Sequence, residues 1–253
     1  MATKSYMALA GIAAILGSGP AFAETITSID LSSYYNGNWS SQNNGAALAA
    51  GAESGTGNTA SGLSFSDPNG RYVSIAIGSS LTISGLSVPL GTDNTLNLLT
   101  NEFFGNGSGN ADAKVTVKNN LGDKETFDLV GGSTIRDYNN DGYTNTLTGG
   151  APPTTAQTWW TTGDALFTGN GEPSQRLDAQ TLTLASVFDG TDLTSIEILN
   201  SGFSLTSPFD DVVSAAQVTT NRTPATVPEP GSLALFGTAL AGLGLFARRR
   251  RTS

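Results

Sequence analysis

The stretch Ala113-Lys114-Val115-Thr116-Val117, then Asn119-Asn120-Leu121-Gly122-Asp123, then Thr126-Phe127-Asp128-Leu129-Val130, reads as two alternating strands joined by a turn. Successive side chains of a strand point to opposite faces, so Val115 and Val117 share one face and meet Phe127 and Leu129 in a single core layer. The Asn, Gly and Asp between them tolerate positive φ or bond to their own backbone, which is the chemistry of a tight connection. The same period of two recurs on both sides. Arg71 to Ile77 (RYVSIAI) sets Val73, Ile75 and Ile77 on one face, with Tyr72 on the other. Leu81 to Ile83, Leu96 to Leu99, Thr181 to Val187, Thr194 to Leu199 and Val212 to Thr219 follow the same rule, and Phe188-Asp189-Gly190-Thr191-Asp192 supplies a turn. About eight to ten short strands with glycine-rich turns predict an all-β fold, an antiparallel β-sandwich of jelly-roll type. No period of about 20 to 50 residues recurs, which argues against a solenoid.

The two ends obey different rules. Lys4, the apolar run Tyr6 to Leu16 and the small residues ending Ala21-Phe22-Ala23 form a secretory signal peptide, with a signal helix over residues 1–23 and cleavage after Ala23. At the other end Val227-Pro228-Glu229-Pro230 precedes GSLALFGTALAGLGLFA, the uncharged residues 231–247, and then Arg248, Arg249, Arg250 and Arg251. At about 1.5 Å per residue that run is at the short limit for a helix crossing a hydrocarbon core of about 30 Å. Four arginines resist transfer through hydrocarbon, which keeps them cytoplasmic and leaves the preceding chain on the far side. The prolines present an extended backbone ahead of the helix, in a form a protease can bind.

This order of Pro228, Glu229 and Pro230, apolar span and arginine cluster resembles the PEP-CTERM protein-sorting signal of bacteria. The resemblance covers residues 228–253 and implies that an integral-membrane exosortase recognises the Pro-Glu-Pro motif and cleaves nearby, moving the protein to the surface or the extracellular matrix. The membrane is then a transient partner. The remaining chain divides into an exported domain, residues 24–220, with a loop at 36–62 poor in large apolar residues, and a linker at 221–227 (NRTPATV).

Composition limits what the exported part can do. Of 21 acidic residues only Glu229 lies outside residues 24–227, and of 12 basic residues Lys4 and the four terminal arginines do, so this part holds 20 against 7, a net charge of −13. Phosphate binding requires clustered cations, so nucleic acid is not an expected partner. The chain has no cysteine and no histidine. Disulfides, Ser-His-Asp and Cys-His nucleophilic sites and the usual zinc and copper ligands are excluded together. Carboxylate chemistry remains, yet no catalytic pair stands out. Asp210-Asp211 is adjacent, so a strand would send the two side chains to opposite faces, and it reads as a solvated turn.

Two constellations are candidates for binding. Asp137-Tyr138-Asn139-Asn140-Asp141-Gly142 has the alternating oxygen donors and turn glycine of a calcium loop, with Asp137, Asn139 and Asp141 as metal ligands. Thr148 stands where an EF-hand has its bidentate glutamate, so that family is excluded, and a polar hairpin turn explains the same residues. Trp159 and Trp160 follow Pro152-Pro153 and precede Gly163-Asp164; exposed, they would stack on sugar rings, and buried, they would fill the sandwich. Gln175 to Leu184 resembles the late strands of jelly-roll, carbohydrate-binding-like domains. Three functions follow, in descending order of support: a non-enzymatic surface or matrix protein with a structural or adhesive domain in an exopolysaccharide-rich envelope; a carbohydrate-binding module, assisted by calcium; and a carboxylate-dependent glycosidase. No cofactor is required by the first.

Overall fold

The structure, a computed structural model, describes residues 23–38, 63, 65, 70–103, 109–138, 147–161, 176–202 and 210–222. The signal segment with Ala21, most of the 36–62 loop, Asn139 and Asp141, and the sorting segment from Pro228 to Arg251 lie outside them. Among the described residues, no helix is long and apolar enough to cross a membrane. Glu24–Thr223 forms one compact unit.

That unit is all-β and antiparallel. Its strands are β1 (Ala23–Ile29), β2 (Gly37–Asn38), β3 (Arg71–Ala76), β4 (Ser80–Pro89), β5 (Thr92–Phe103), β6 (Ala111–Asn119), β7 (Lys124–Val130), β8 (Gly150–Ala151), β9 (Thr154–Thr161), β10 (Arg176–Thr183), β11 (Asp192–Asn200) and β12 (Asp210–Arg222). One sheet runs β2-β3-β12-β5-β10-β9-β8, with β1 also paired to β12; the other runs β4-β11-β6-β7. Consecutive strands alternate between the sheets at β3 to β4, β4 to β5 and β5 to β6, and again from β10 through β11 to β12.

The β6–β7 hairpin has the expected register, with Val115 opposite Phe127 and Ala113 opposite Leu129. Its turn is held by Asn119, whose Oδ1 accepts from the backbone N–H of Leu121 (3.0 Å) and of Asp123 (2.8 Å), while Gly122 takes φ +96°. Val115, Val117, Phe127 and Leu129 join Leu96 and Leu98 of β5, Val213 and Val218 of β12, and Ile196 and Ile198 of β11 in one core shared by both sheets. Each fully buried side chain of this size contributes roughly 1.5–3 kcal/mol of transfer free energy.

A second apolar layer covers the other face of the larger sheet: Phe65, Tyr72, Leu99, Phe103, Tyr138, Trp159, Leu177 and Val212. Covered on both sides, β12 is buried from Asp211 to Thr220. Several elements differ from expectation: β3 stops at Ala76 and leaves Ile77 exposed rather than on the core face, and β4 and β5 extend well beyond Leu81 to Ile83 and Leu96 to Leu99. The strand placed at Thr181 to Val187 starts earlier, at Arg176, and gives way to a 3-10 turn at Ser186–Phe188, because Phe188 turns inward to the core. Asn221 and Arg222 belong to β12 rather than to a linker: Asn221 pairs with Thr92 across the ladder. The strand β9, hidden behind prolines and threonines, buries Ala156 and Trp159.

Candidate functional site

Sheet alternation decides which side chains of β5 enter the inter-sheet core. Leu96 and Leu98 do, and Glu102 shares their parity at the end of the strand. Directly across the ladder, Asp211 of β12 pairs with Glu102, again on the parity of the core residue Val213. From the facing sheet comes Asp112, at a register shift between Ala111 and Ala113 of β6 that leaves it outside the regular ladder. Asp210-Asp211 is therefore not a solvated turn. It opens a central strand, with Asp211 fully buried and Asp210 accepting a hydrogen bond from the Ser74 hydroxyl (2.5 Å).

Glu102, Asp112 and Asp211 are each 0% exposed, and all six of their carboxylate oxygens lack a hydrogen-bond partner. Burial, the charges of Asp112 and Asp211, contact with the Asp112 carboxyl and the charge of Asp137 hold Glu102 well above the ordinary carboxylate range. Asp211 is pushed well up by burial, then by Asp112 and Asp210. Asp112 is raised by burial, partly offset by its contact with Glu102. Glu102 and Asp112 sit within hydrogen-bonding reach, but two ionised carboxylates are both acceptors, so a bond exists only when one carries a proton.

The predicted calcium loop meets this cluster at one residue. Asp137 is buried and forms a parallel bridge with Glu102, and its carbonyl accepts from Arg176 Nε (3.1 Å). It is thus not part of an exposed polar turn. On the opposite face of β5 a second acidic site is fully furnished. Arg136 donates through Nε (2.8 Å) and an Nη (2.7 Å) to the two oxygens of Asp178, and the Asn101 amide donates to the same carboxylate (2.8 Å).

Trp159 does not offer a face for stacking. Its ring is fully buried edge-to-face against Phe65 (6.0 Å), and its Nε1 donates to the Leu63 carbonyl (3.0 Å). Trp160 lies in the same strand, and its side chain is outside the described residues. An open cleft of about 450 Å³ lies elsewhere, lined by Tyr35, Asn36, Gly37, Asn38 and Arg71, with the Arg71 guanidinium 5.4 Å from the Tyr35 ring centroid.

The signal for Glu102 and Asp211 was present in sequence as parity with neighbouring core residues. For Asp112 there was none: plain alternation with Ala113, Val115 and Val117 would turn it outward, and the register shift at its own position brings it in.

Residues 226–251 match the family model of the PEP-CTERM protein-sorting motif. The match begins just beyond the end of β12 and takes in Pro228, Glu229, Pro230 and all four arginines. Comparison with curated proteins gives no match. The chain is an exported, surface-directed protein sorted through its C-terminal signal and is consistent with a substrate of an exosortase-like enzyme.

Proposed function

We propose that this is a non-enzymatic surface or matrix protein: a signal peptide removed after Ala23, a β-domain held briefly by a membrane span at 231–247, and release by exosortase-type cleavage near Pro228. The observation that carries it is the sorting motif at 226–251, only a few residues past the last strand, so cleavage there frees the β-domain intact. The strand orders β3-β12-β5-β10 and β4-β11-β6-β7 support reading that domain as a jelly-roll sandwich. A structural or adhesive role among exopolysaccharides agrees with its acidity, which keeps it solvated. Catalysis by its paired carboxylates is disfavoured by their burial, since a glycosidase pair must touch the sugar. Mass spectrometry of the surface-exposed protein is the test. A new N-terminus at Glu24 and loss of Arg248 to Arg251 are expected; a surface product that retains the arginines would refute sorting-type processing.

Carbohydrate binding is the second reading, and the cleft at Tyr35, Asn36, Asn38 and Arg71 supports it better than Trp159 does. Binding of the envelope polysaccharide that disappears in an Arg71→Ala chain would favour it; equal binding by both chains would remove the cleft from consideration.

A further inference from the structure

We propose that Glu102, Asp112 and Asp211 form a divalent-cation site, calcium being the ion they suit, which ties the two sheets together at one end of the domain. Two observations carry this independently of the sorting reading. The first is convergence: Glu102 and Asp211 are cross-ladder neighbours in one sheet, and Asp112 reaches them from the other. The second is that six buried carboxylate oxygens have no hydrogen-bond partner. Native proteins pair the large majority of their buried polar atoms, and an ionised carboxylate in such surroundings is strongly disfavoured unless a counter-charge meets it.

Arg176 bonds the Asp137 carbonyl through Nε, and Arg136 does not serve the three carboxylates either. Arg136 is committed to Asp178 on the other face of β5, and every charge that acts on Glu102 is negative. The donor set is oxygen only, which selects a hard cation over zinc or copper, and six oxygens reach the lower end of calcium's usual six to eight ligands. Calcium tolerates irregular geometry and mixed mono- and bidentate carboxylates, whereas magnesium demands a near-octahedral shell and keeps its waters. A cation of charge +2 leaves one net negative charge of three.

Among the described residues no three acidic side chains are already drawn round one point in metal-binding geometry. Binding therefore includes a rotation of these side chains toward the ion. Closure links β5 and β12 in one sheet to β6 in the other.

The experiment uses the full-length protein, stripped with a chelator and titrated with calcium chloride while its melting temperature is followed. An affinity in the range of extracellular calcium modules, about 0.1–1 mM, gives a rise of about 2–9 °C at about 5 mM calcium. Glu102→Gln and Asp211→Asn keep the side-chain shapes and should abolish that rise, while Asp141→Asn should keep it. No rise in the wild-type chain overturns the proposal, as does an undiminished rise in both Glu102→Gln and Asp211→Asn. Loss of the rise in Asp141→Asn alone moves the ion to the loop after Asp137 and equally overturns it. Should the Glu102 and Asp211 variants fail to fold, equilibrium dialysis of radioactive calcium against the wild-type and Asp141→Asn chains decides. One ion retained by both supports the site; none in the wild type, or loss in Asp141→Asn, ends it.

Discussion

Asn101 and Glu102 are neighbours on β5 that face opposite ways, and the acidic sites they join are built on opposite plans. On the outer face Asp178 receives two bonds from Arg136 and one from Asn101, and its own N–H donates to Asn101 Oδ1 (3.0 Å). On the inner face Glu102, Asp112 and Asp211 receive nothing. Both sites are buried to the same degree. The difference shows that burial alone does not define a carboxylate's role. Asp178 is a structural ion pair whose desolvation is offset by charge and hydrogen bonds, whereas the inner three stand in a low-dielectric space without a counter-charge, which holds Glu102 and Asp211 toward their protonated forms.

The contrast is open to breakage by substitution. The largest effect is expected at the outer site. Asp178→Ala removes the carboxylate that meets the buried Arg136 guanidinium and should cost about 3–5 kcal/mol in urea unfolding; a loss below about 1 kcal/mol would mean that the pair does not hold the outer layer. At the inner site the sign reverses. In chelator at about pH 8, Glu102→Gln removes a carboxyl whose ionised form burial and three acidic neighbours destabilise, while keeping the shape, and it should stabilise the domain on the order of 1–3 kcal/mol. Destabilisation by that substitution in chelator would show that Glu102 has a partner after all.

The pH response follows from the same asymmetry. Glu102 faces Asp112, Asp211 and Asp137, and its folded-state pKa, like that of Asp211, lies above the unfolded one. Between those two values the folded chain holds more protons than the unfolded chain, so stability falls as pH rises from the ordinary carboxylate range through the raised values, and is flat above them. In chelator the melting temperature should thus be higher by a few degrees at about pH 5 than at about pH 8, and the slope should flatten in a Glu102→Gln, Asp211→Asn double variant. A melting temperature that instead rises steadily from about pH 5 to about pH 8 would contradict the inner cluster as described. The smallest effect belongs to the surface. Lys114 bonds Asp128 (2.5 Å), but the two side chains are 41% and 53% exposed. Lys114→Ala should therefore cost only about 0.2–1 kcal/mol, and less in high salt.

Much of the fold was legible because strand alternation survives wherever one face is buried. The β6–β7 hairpin, with Val115 and Phe127 opposed, needed no more than the period of two and an Asn-rich turn. The ladder β12 was found for the same reason, although its burial on both faces depended on the layer built by Phe65, Tyr72 and Trp159. The site was less legible. Asp137 drew notice as part of a linear motif, while Glu102, which it bridges, lies beyond the strand expected at Leu96 to Leu99, and Asp211, the cross-ladder partner of Glu102, read as part of a solvated turn. Trp159 could face either way until its strand had a sheet to join.

Sorting is readable from residue order alone, because the machinery that handles it meets one short contiguous segment: Pro228-Glu229-Pro230, the uncharged run at 231–247 and the arginines after it. Which acids share a space is another matter. Alternation assigns Glu102 and Asp211 to a face, but only strand pairing sets them opposite each other, and only the local break in register at Asp112 turns a third carboxylate inward. Burial is a property of neighbours supplied by the folded chain, so the contrast between a neutralised Asp178 and an unneutralised Glu102 came into being with the tertiary structure.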